Sequence, residues 1–197
     1  MSKRRLQRLI ISLVLLGASA LTYYLQQHPA QQQQASKDTP QVMGVQQPGY
    51  YKVTHVADGD TISVDMSGKT ETIRMIGVDT PESVKPNSPV QCYGKEASDY
   101  TKQNLNGQSV RLEADPTGDN RDRYDRLLRY VYLQDGTLWE QKLIDQGYGF
   151  AYLSFQFTKQ ADFAALQAKA QDAKLGLWAT CTPTLSSGGR WESNDLK

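Results

Sequence analysis

Two short acidic segments, Asp58-Gly59-Asp60-Thr61 and Asp79-Thr80-Pro81-Glu82, flank a mostly apolar run, Ile73-Arg74-Met75-Ile76-Gly77-Val78, that carries one arginine. A second arginine follows in Tyr124-Asp125-Arg126-Leu127. A hard divalent cation such as calcium takes oxygen ligands from carboxylates and backbone carbonyls. Guanidiniums stay charged and grip non-bridging phosphate oxygens in pairs. Asp60, Asp79 and Glu82 together with Arg74 and Arg126 are therefore the parts that metal-assisted attack on a phosphodiester requires. Zinc chemistry and a histidine base are poorly supported, because His55 is the only histidine beyond the N-terminal stretch and Cys92 and Cys181 are far apart. A carboxylate is the remaining candidate to activate water, and Glu82 lies one turn on from Asp79.

Each motif also has an architectural reading. Asp-Gly is a common hairpin signal, so Asp58 and Asp60 can serve only a turn. Thr80-Pro81 resembles a helix N-cap and first position, with Glu82 favourable at the positive helix end. Arg74 can snorkel, and Arg126 stands among Arg121, Arg123, Arg129, Asp119, Asp122 and Asp125, a run that also reads as a solvated mixed-charge loop.

The elements that must position these groups are short. Residues 51–56 alternate as a half-buried strand, Asp58-Gly59 turns the chain, and 61–64 alternate again, which predicts a hairpin. Residues 71–78 read as a third strand with Arg74 on the face of Ile76 and Val78. A helix over 97–105, strands over 109–114 and 127–133, a helix capped by Thr137 and a last amphipathic helix opened by Thr158 complete the order. That is an α+β sequence of elements, and a small five-stranded barrel suits it because closure removes sheet edges. If the second and third strands are neighbours, Asp60 and Asp79 meet at one rim.

The organisation around this domain is uneven. Lys3, Arg4, Arg5 and Arg8 precede an uncharged run over residues 9–25, which predicts an N-terminal signal anchor or signal peptide over 1–25 that leaves the rest outside the cytoplasm. Tyr23 and Tyr24 suit an interfacial belt and favour an uncleaved anchor; Ala18-Ser19-Ala20 would allow cleavage and secretion. Residues 26–49, rich in Gln and Pro, read as a flexible linker. The globular domain is expected over 50–181 and a disordered tail over 182–197. Net charge is +1 overall, and the first 49 residues carry a surplus of four positive charges, so the remainder is mildly acidic. This excludes a duplex-coating protein with a broadly basic surface. Cys92 and Cys181 fit either a disulfide or two separate buried thiols; the exported setting favours the disulfide.

From Tyr51 to Trp178 the chain closely resembles the staphylococcal nuclease (thermonuclease) family. The resemblance is carried by Asp58-Gly-Asp-Thr61, Ile73-Arg74 leading into Val78-Asp-Thr-Pro-Glu82, Tyr93-Gly94-Lys95-Glu96-Ala97, Tyr124-x-Arg126 leading into Tyr130-Val-Tyr132, and Leu175-Gly-Leu-Trp178. It implies an OB-type five-stranded barrel with three α-helices. It implies that Asp60, Asp79 and the Thr80 carbonyl bind Ca2+, that Glu82 positions or deprotonates the attacking water, and that Arg74 and Arg126 hold the phosphate. Tyr124 and Tyr152 would line the nucleotide pocket, with Lys85 and Arg123 as further substrate-side cations. The implied partner is DNA or RNA, single-stranded or locally opened, cut to leave 3′-phosphate ends by a monomer. Two departures stand out: residues 83–91 hold only Lys85 as a cation, with Asn87 and Ser88 where relatives often have lysines, and Ser154 stands where a second pocket tyrosine is expected. A Cys92–Cys181 bridge would pin the substrate-side loop to the C-terminal end. The alternatives are an inactive OB-type nucleic-acid-binding module, or an envelope scaffold with no use for the cluster.

Overall fold

The computed structural model describes residues 49–83 and 89–196. The expected N-terminal anchor, nearly all of the linker, and Lys85 lie outside the described residues. Among the described residues, no helix is long and apolar enough to cross a membrane.

The first three strands, β1 (Tyr51–Asp58), β2 (Thr61–Met66) and β3 (Lys69–Met75), form a meander, followed by the two-residue strand β4 (Val78–Asp79). Helix α1 (Gly94–Leu105) leads to β5 (Ser109–Glu113) and β6 (Leu127–Tyr132). Then come α2 (Trp139–Asp145), β7 (Phe150–Ala151), α3 (Gln160–Asp172), the single-turn α4 (Leu177–Thr180), β8 (Thr184–Leu185) and β9 (Trp191–Glu192). The order β1-β2-β3-β6-β5 closes into a barrel, so the expected five-stranded architecture is what the chain adopts, with one short helix more than the three expected.

Alternation explains the barrel interior. Val53, Ile62, Val64, Ile73, Val110 and Val131 are all fully buried, each contributing roughly 1.5–3 kcal/mol relative to exposure. Below them α2 and α3 add Trp139, Leu143, Ile144 and Phe163 to the same core. The seam that matters for the site is the parallel pairing of β3 with β6, in which Ile73 faces Leu127 and Arg74 faces Leu128. That register brings Arg74 on β3 beside the start of β6, which Arg126 immediately precedes.

Three expectations change, and one open choice is decided. The strand expected over 71–78 breaks at Ile76-Gly77, where Gly77 takes φ +74° and a Cβ would lie 2.6 Å from the Phe157 ring. Neither threonine caps its helix: α2 and α3 start after Leu138 and Lys159, without a side-chain cap. The Thr158 hydroxyl and N–H instead donate to Asp115 Oδ2 at 2.6 and 2.7 Å, a buried acceptor being a better partner than a helix end open to water. The choice between free thiols and a bridge falls to the bridge, Cys92–Cys181, with an S–S distance of 2.04 Å. Finally, the segment expected to be a disordered tail forms the β8–β9 hairpin, with Thr184 opposite Glu192 and Leu185 opposite Trp191. It runs back along residues 90–92: Cys92 N–H donates to Asn194 O at 2.7 Å and Leu196 N–H to Val90 O at 2.9 Å.

Candidate active site

The site is built from two tight turns pressed together. Gly59 N–H donates to Asp58 Oδ1 at 2.8 Å, closing the β1–β2 turn and setting Asp60 at its end. Only glycine fits at 59, because a Cβ there would lie 2.8 Å from the Thr80 side chain. Asp60 is buried and fully engaged: Oδ1 accepts from the Thr61 hydroxyl at 2.9 Å, and Oδ2 accepts from Thr80 N–H at 2.9 Å and the Thr80 hydroxyl at 3.2 Å. Thr80 is thus locked to Asp60 rather than capping a helix, and no helix begins at Pro81.

Arg74 connects the two acids. Its Nη1 lies 3.0 Å from Asp60 Oδ2 and its Nη2 lies 2.9 Å from Asp79 Oδ1, with only 14% of the side chain exposed. Both carboxylates therefore sit a guanidinium's width apart. The break at Gly77 turns the chain back over the same head group, so Nη1 also donates to Val78 O at 2.8 Å. The alternative of an arginine snorkelling on the barrel surface is excluded by this burial and by the contacts with both acids.

Glu82 is held through its backbone. Its N–H donates to Gln91 Oε1 at 2.8 Å and its carbonyl accepts from Gln91 N–H at 2.9 Å. Gly94, at the start of α1, packs so close that a Cβ would lie 2.5 Å from Glu82 O. Ser83 joins this loop to the first turn through a 2.7 Å bond from its hydroxyl to Asp58 Oδ1. Burial pushes the Asp58 carboxyl up to about 7; the Ser83 hydroxyl and the Gly59 N–H oppose this, and the charges of Asp60 and Glu82 add to it. Burial likewise raises Asp79, with Arg74 and Arg190 opposing and Asp60 adding.

Arg126 enters the same cleft from the loop before β6. Asp122 shapes that loop: its Oδ1 accepts from Tyr124 N–H at 2.9 Å and Arg126 N–H at 3.0 Å, while Oδ2 accepts from Arg126 Nε at 2.7 Å. The chain doubles back through Asp125 at φ +64°. Arg123 and Arg126 lie over the exposed Tyr124 ring at 4.8 and 5.3 Å, which makes a cationic aromatic ledge. Tyr152, which lines the same cleft, is anchored by its N–H to Gly77 O at 2.8 Å. Its ring lies 5.4 Å below the guanidinium of Arg190, from the C-terminal hairpin.

Asp60, Arg74, Asp79, Thr80, Glu82, Arg123, Tyr124, Arg126, Tyr152 and Arg190 all line one cleft of about 1370 Å³. Cys92 and Cys181 act from outside it as the strap of the C-terminal segment. Two residues escaped the sequence reading. Asp122 was hidden in a loop that reads as solvated charge, although its spacing of four from Arg126 was a usable signal. Arg190 had no signal, since it sits in a turn between two two-residue strands and its partner, Asp79, is remote in sequence.

The rim's chemistry suits a hard divalent cation. Its donors are oxygens only. Asp58, Asp60, Asp79 and Glu82 line this part of the cleft with Arg74 and Arg190, four carboxyls to two guanidiniums. Among the described residues, no three His, Cys, Asp or Glu side chains gather tightly enough to form a metal centre alone. The carboxylates that could serve are thus the two that Arg74 now spans, with Thr80 tied to one of them through its N–H and hydroxyl.

A five-stranded OB-type barrel whose rim unites paired aspartates, a glutamate and two arginines defines a phosphodiester-handling fold. Residues 72–180 match the family described as "Staphylococcal nuclease homologue", and the chain belongs to that family. It is 48% identical over 130 residues to the thermonuclease of Staphylococcus hyicus, covering 66% of this chain and 75% of that protein. It is 44% identical over 133 residues to the thermonuclease of Staphylococcus intermedius, covering 65% and 75%. It is also 44% identical over 124 residues to endonuclease YncB of Bacillus subtilis, covering 62% and 58%.

Proposed function

We propose that this protein is a calcium-dependent nuclease that hydrolyses DNA and RNA outside the cytoplasm and leaves 3′-phosphate ends. Phosphodiester hydrolysis is the activity common to the names of its relatives. The observation that carries the reading is the bridge from Asp60 through Arg74 to Asp79, in one cleft with Glu82 and Arg126. An inactive binding module would be expected to lack one of these five groups, and none is missing.

In this reading Asp60, Asp79 and the Thr80 carbonyl would hold calcium, which would supply Lewis-acid polarisation of the phosphate. Glu82 orients a water and takes its proton as the water oxygen attacks phosphorus. Arg74 and Arg126 stabilise the charge that builds on the non-bridging oxygens. The bond to the 5′ oxygen breaks, giving a 3′-phosphate and a 5′-hydroxyl. Tyr124 and Arg123 offer a stacking ledge and Tyr152 the facing wall, a layout that suits a single strand or a locally opened duplex. The basic cluster and apolar run over residues 3–25 and the Cys92–Cys181 disulfide support an extracytoplasmic setting, with the domain tethered by its N-terminus.

Digestion of single-stranded DNA with calcium, and with chelator instead, tests this. Cleavage is expected only with calcium, and Arg126→Ala is expected to lower the rate about a hundredfold or more. Equal cleavage in chelator, or an Arg126→Ala variant as fast as wild type, would sink the proposal.

A further inference from the structure

The C-terminal hairpin gives the cleft a guanidinium that the five-residue mechanism does not use. Arg190 donates from Nε and Nη2 to Asp79 Oδ2 at 3.0 and 2.8 Å. These contacts use two of its five N–H donors, and the others have no partner among the described residues. Its side chain is 46% exposed, against 14% for Arg74, whose head group is taken up by two acids and the Val78 carbonyl. Arg126 gives Nε to Asp122. Of the three, Arg190 is therefore the most open to a ligand, and it sits between Asp79 and the Tyr152 ring.

Its position is built. The turn is closed by Ser186 N–H to Arg190 O at 2.8 Å and Gly189 N–H to Ser186 O at 2.9 Å. Trp191 packs edge-on against Trp178 at 5.2 Å. Ser193 Oγ donates to Cys92 O at 2.9 Å, beside the Cys92–Cys181 disulfide. The C-terminal segment also pairs with Val90 and Cys92.

We propose that Arg190 is a substrate-binding residue, which takes a phosphate oxygen of the bound nucleic-acid strand and makes the disulfide-strapped hairpin one wall of the substrate cleft. This rests on the nuclease reading above. Asp79 takes the Nε and Nη2 edge of the guanidinium, so the Nη1 end stays available for a phosphate. Arg190 is the cation that the C-terminal segment brings to the cleft, where Glu192 and Asp195 also stand.

The test measures binding of a fluorescent single-stranded oligonucleotide to the full chain in chelator, alongside kcat and KM with calcium. Arg190→Ala should weaken binding about tenfold, the worth of one charge-assisted contact. It should lower the slope of log affinity against log salt by about 0.7, one phosphate's share for a single strand. KM should rise with little change in kcat, and Arg190→Lys should recover part of the affinity. An uncharged methylphosphonate placed at successive linkages should weaken wild type at one position where Arg190→Ala is indifferent. If Arg190→Ala fails to fold, Arg190→Gln, which keeps the bulk and removes the charge, takes its place, and a profile identical to wild type at every linkage overturns the proposal. Affinity and salt slope unchanged in Arg190→Ala, or tighter binding, overturn it while a wild-type chain that cuts leaves the nuclease reading standing. A wild-type chain that neither binds nor cuts overturns both.

Discussion

Asp115 and Asp79 are both largely withdrawn from water, yet neutral donors surround the first and cations the second. Asp115 accepts from the Tyr130 hydroxyl at 2.6 Å, from Thr158 N–H at 2.7 Å and from Thr117 N–H at 2.8 Å. Burial works against its ionisation, but the hydrogen bonds from Thr117, Thr158 and Tyr130 outweigh it and hold the carboxyl well below the usual carboxylate range. Asp79 has Arg74 on one oxygen and Arg190 on the other, and burial still raises it. The first is a closed site, in which every lone pair is met by a fixed neighbour and the product is stability. The second is met by charges that a cation or a phosphate could replace. At Asp115 fixed neutral donors mark architecture, and at Asp79 the crowding of charges marks chemistry.

This contrast predicts that the two regions fail in different ways. Glu82→Gln keeps the shape and removes the base, so kcat should fall about a thousandfold, equivalent to about 4 kcal/mol, with the urea midpoint unchanged. A midpoint shift as large as the rate loss would make Glu82 structural. Asp115→Asn should do the reverse: stability falls by about 2–3 kcal/mol as acceptors for Tyr130 and Thr158 are lost, while the folded fraction keeps its rate within a few-fold. The pH dependence follows from the sign of the shift. Asp115 ionises more readily folded than unfolded, so its contribution is complete above its unfolded value of 3.8 and is lost as pH falls through the lower folded value. The gap between wild type and Asp115→Asn should close on acidification below pH 3.8, and urea melts from pH 6 downward will read it. The smallest effect belongs to Tyr124→Ala, which removes the ledge under Arg123 and Arg126 and should raise KM by a few-fold.

The barrel was legible because its signals are local: alternation in 51–56 and 61–64, and the Asp58-Gly59 turn, need no distant partner. The convergence of Asp60, Asp79, Arg74, Glu82 and Arg126 was legible from motif order, and the β3–β6 seam is what realises it. What escaped depends on contacts remote in sequence. Thr158 had cap chemistry, but Asp115, 43 positions away, captures its hydroxyl. Residues 71–78 look like one strand until Phe157 packs over Gly77. The polar stretch after Cys181 lacks any periodic pattern, and its two-residue strands are held by Val90, Cys92 and the disulfide rather than by propensity of their own. Arg190 could therefore not be foreseen at Asp79.

Calorimetric titration of calcium into the metal-free chain, repeated with Asp79→Asn and Asp115→Asn, addresses the division between the two regions most directly. One calcium should bind wild type and Asp115→Asn alike, and Asp79→Asn should bind at least tenfold more weakly. Equal affinity in Asp79→Asn, or no binding to wild type at all, would contradict the account.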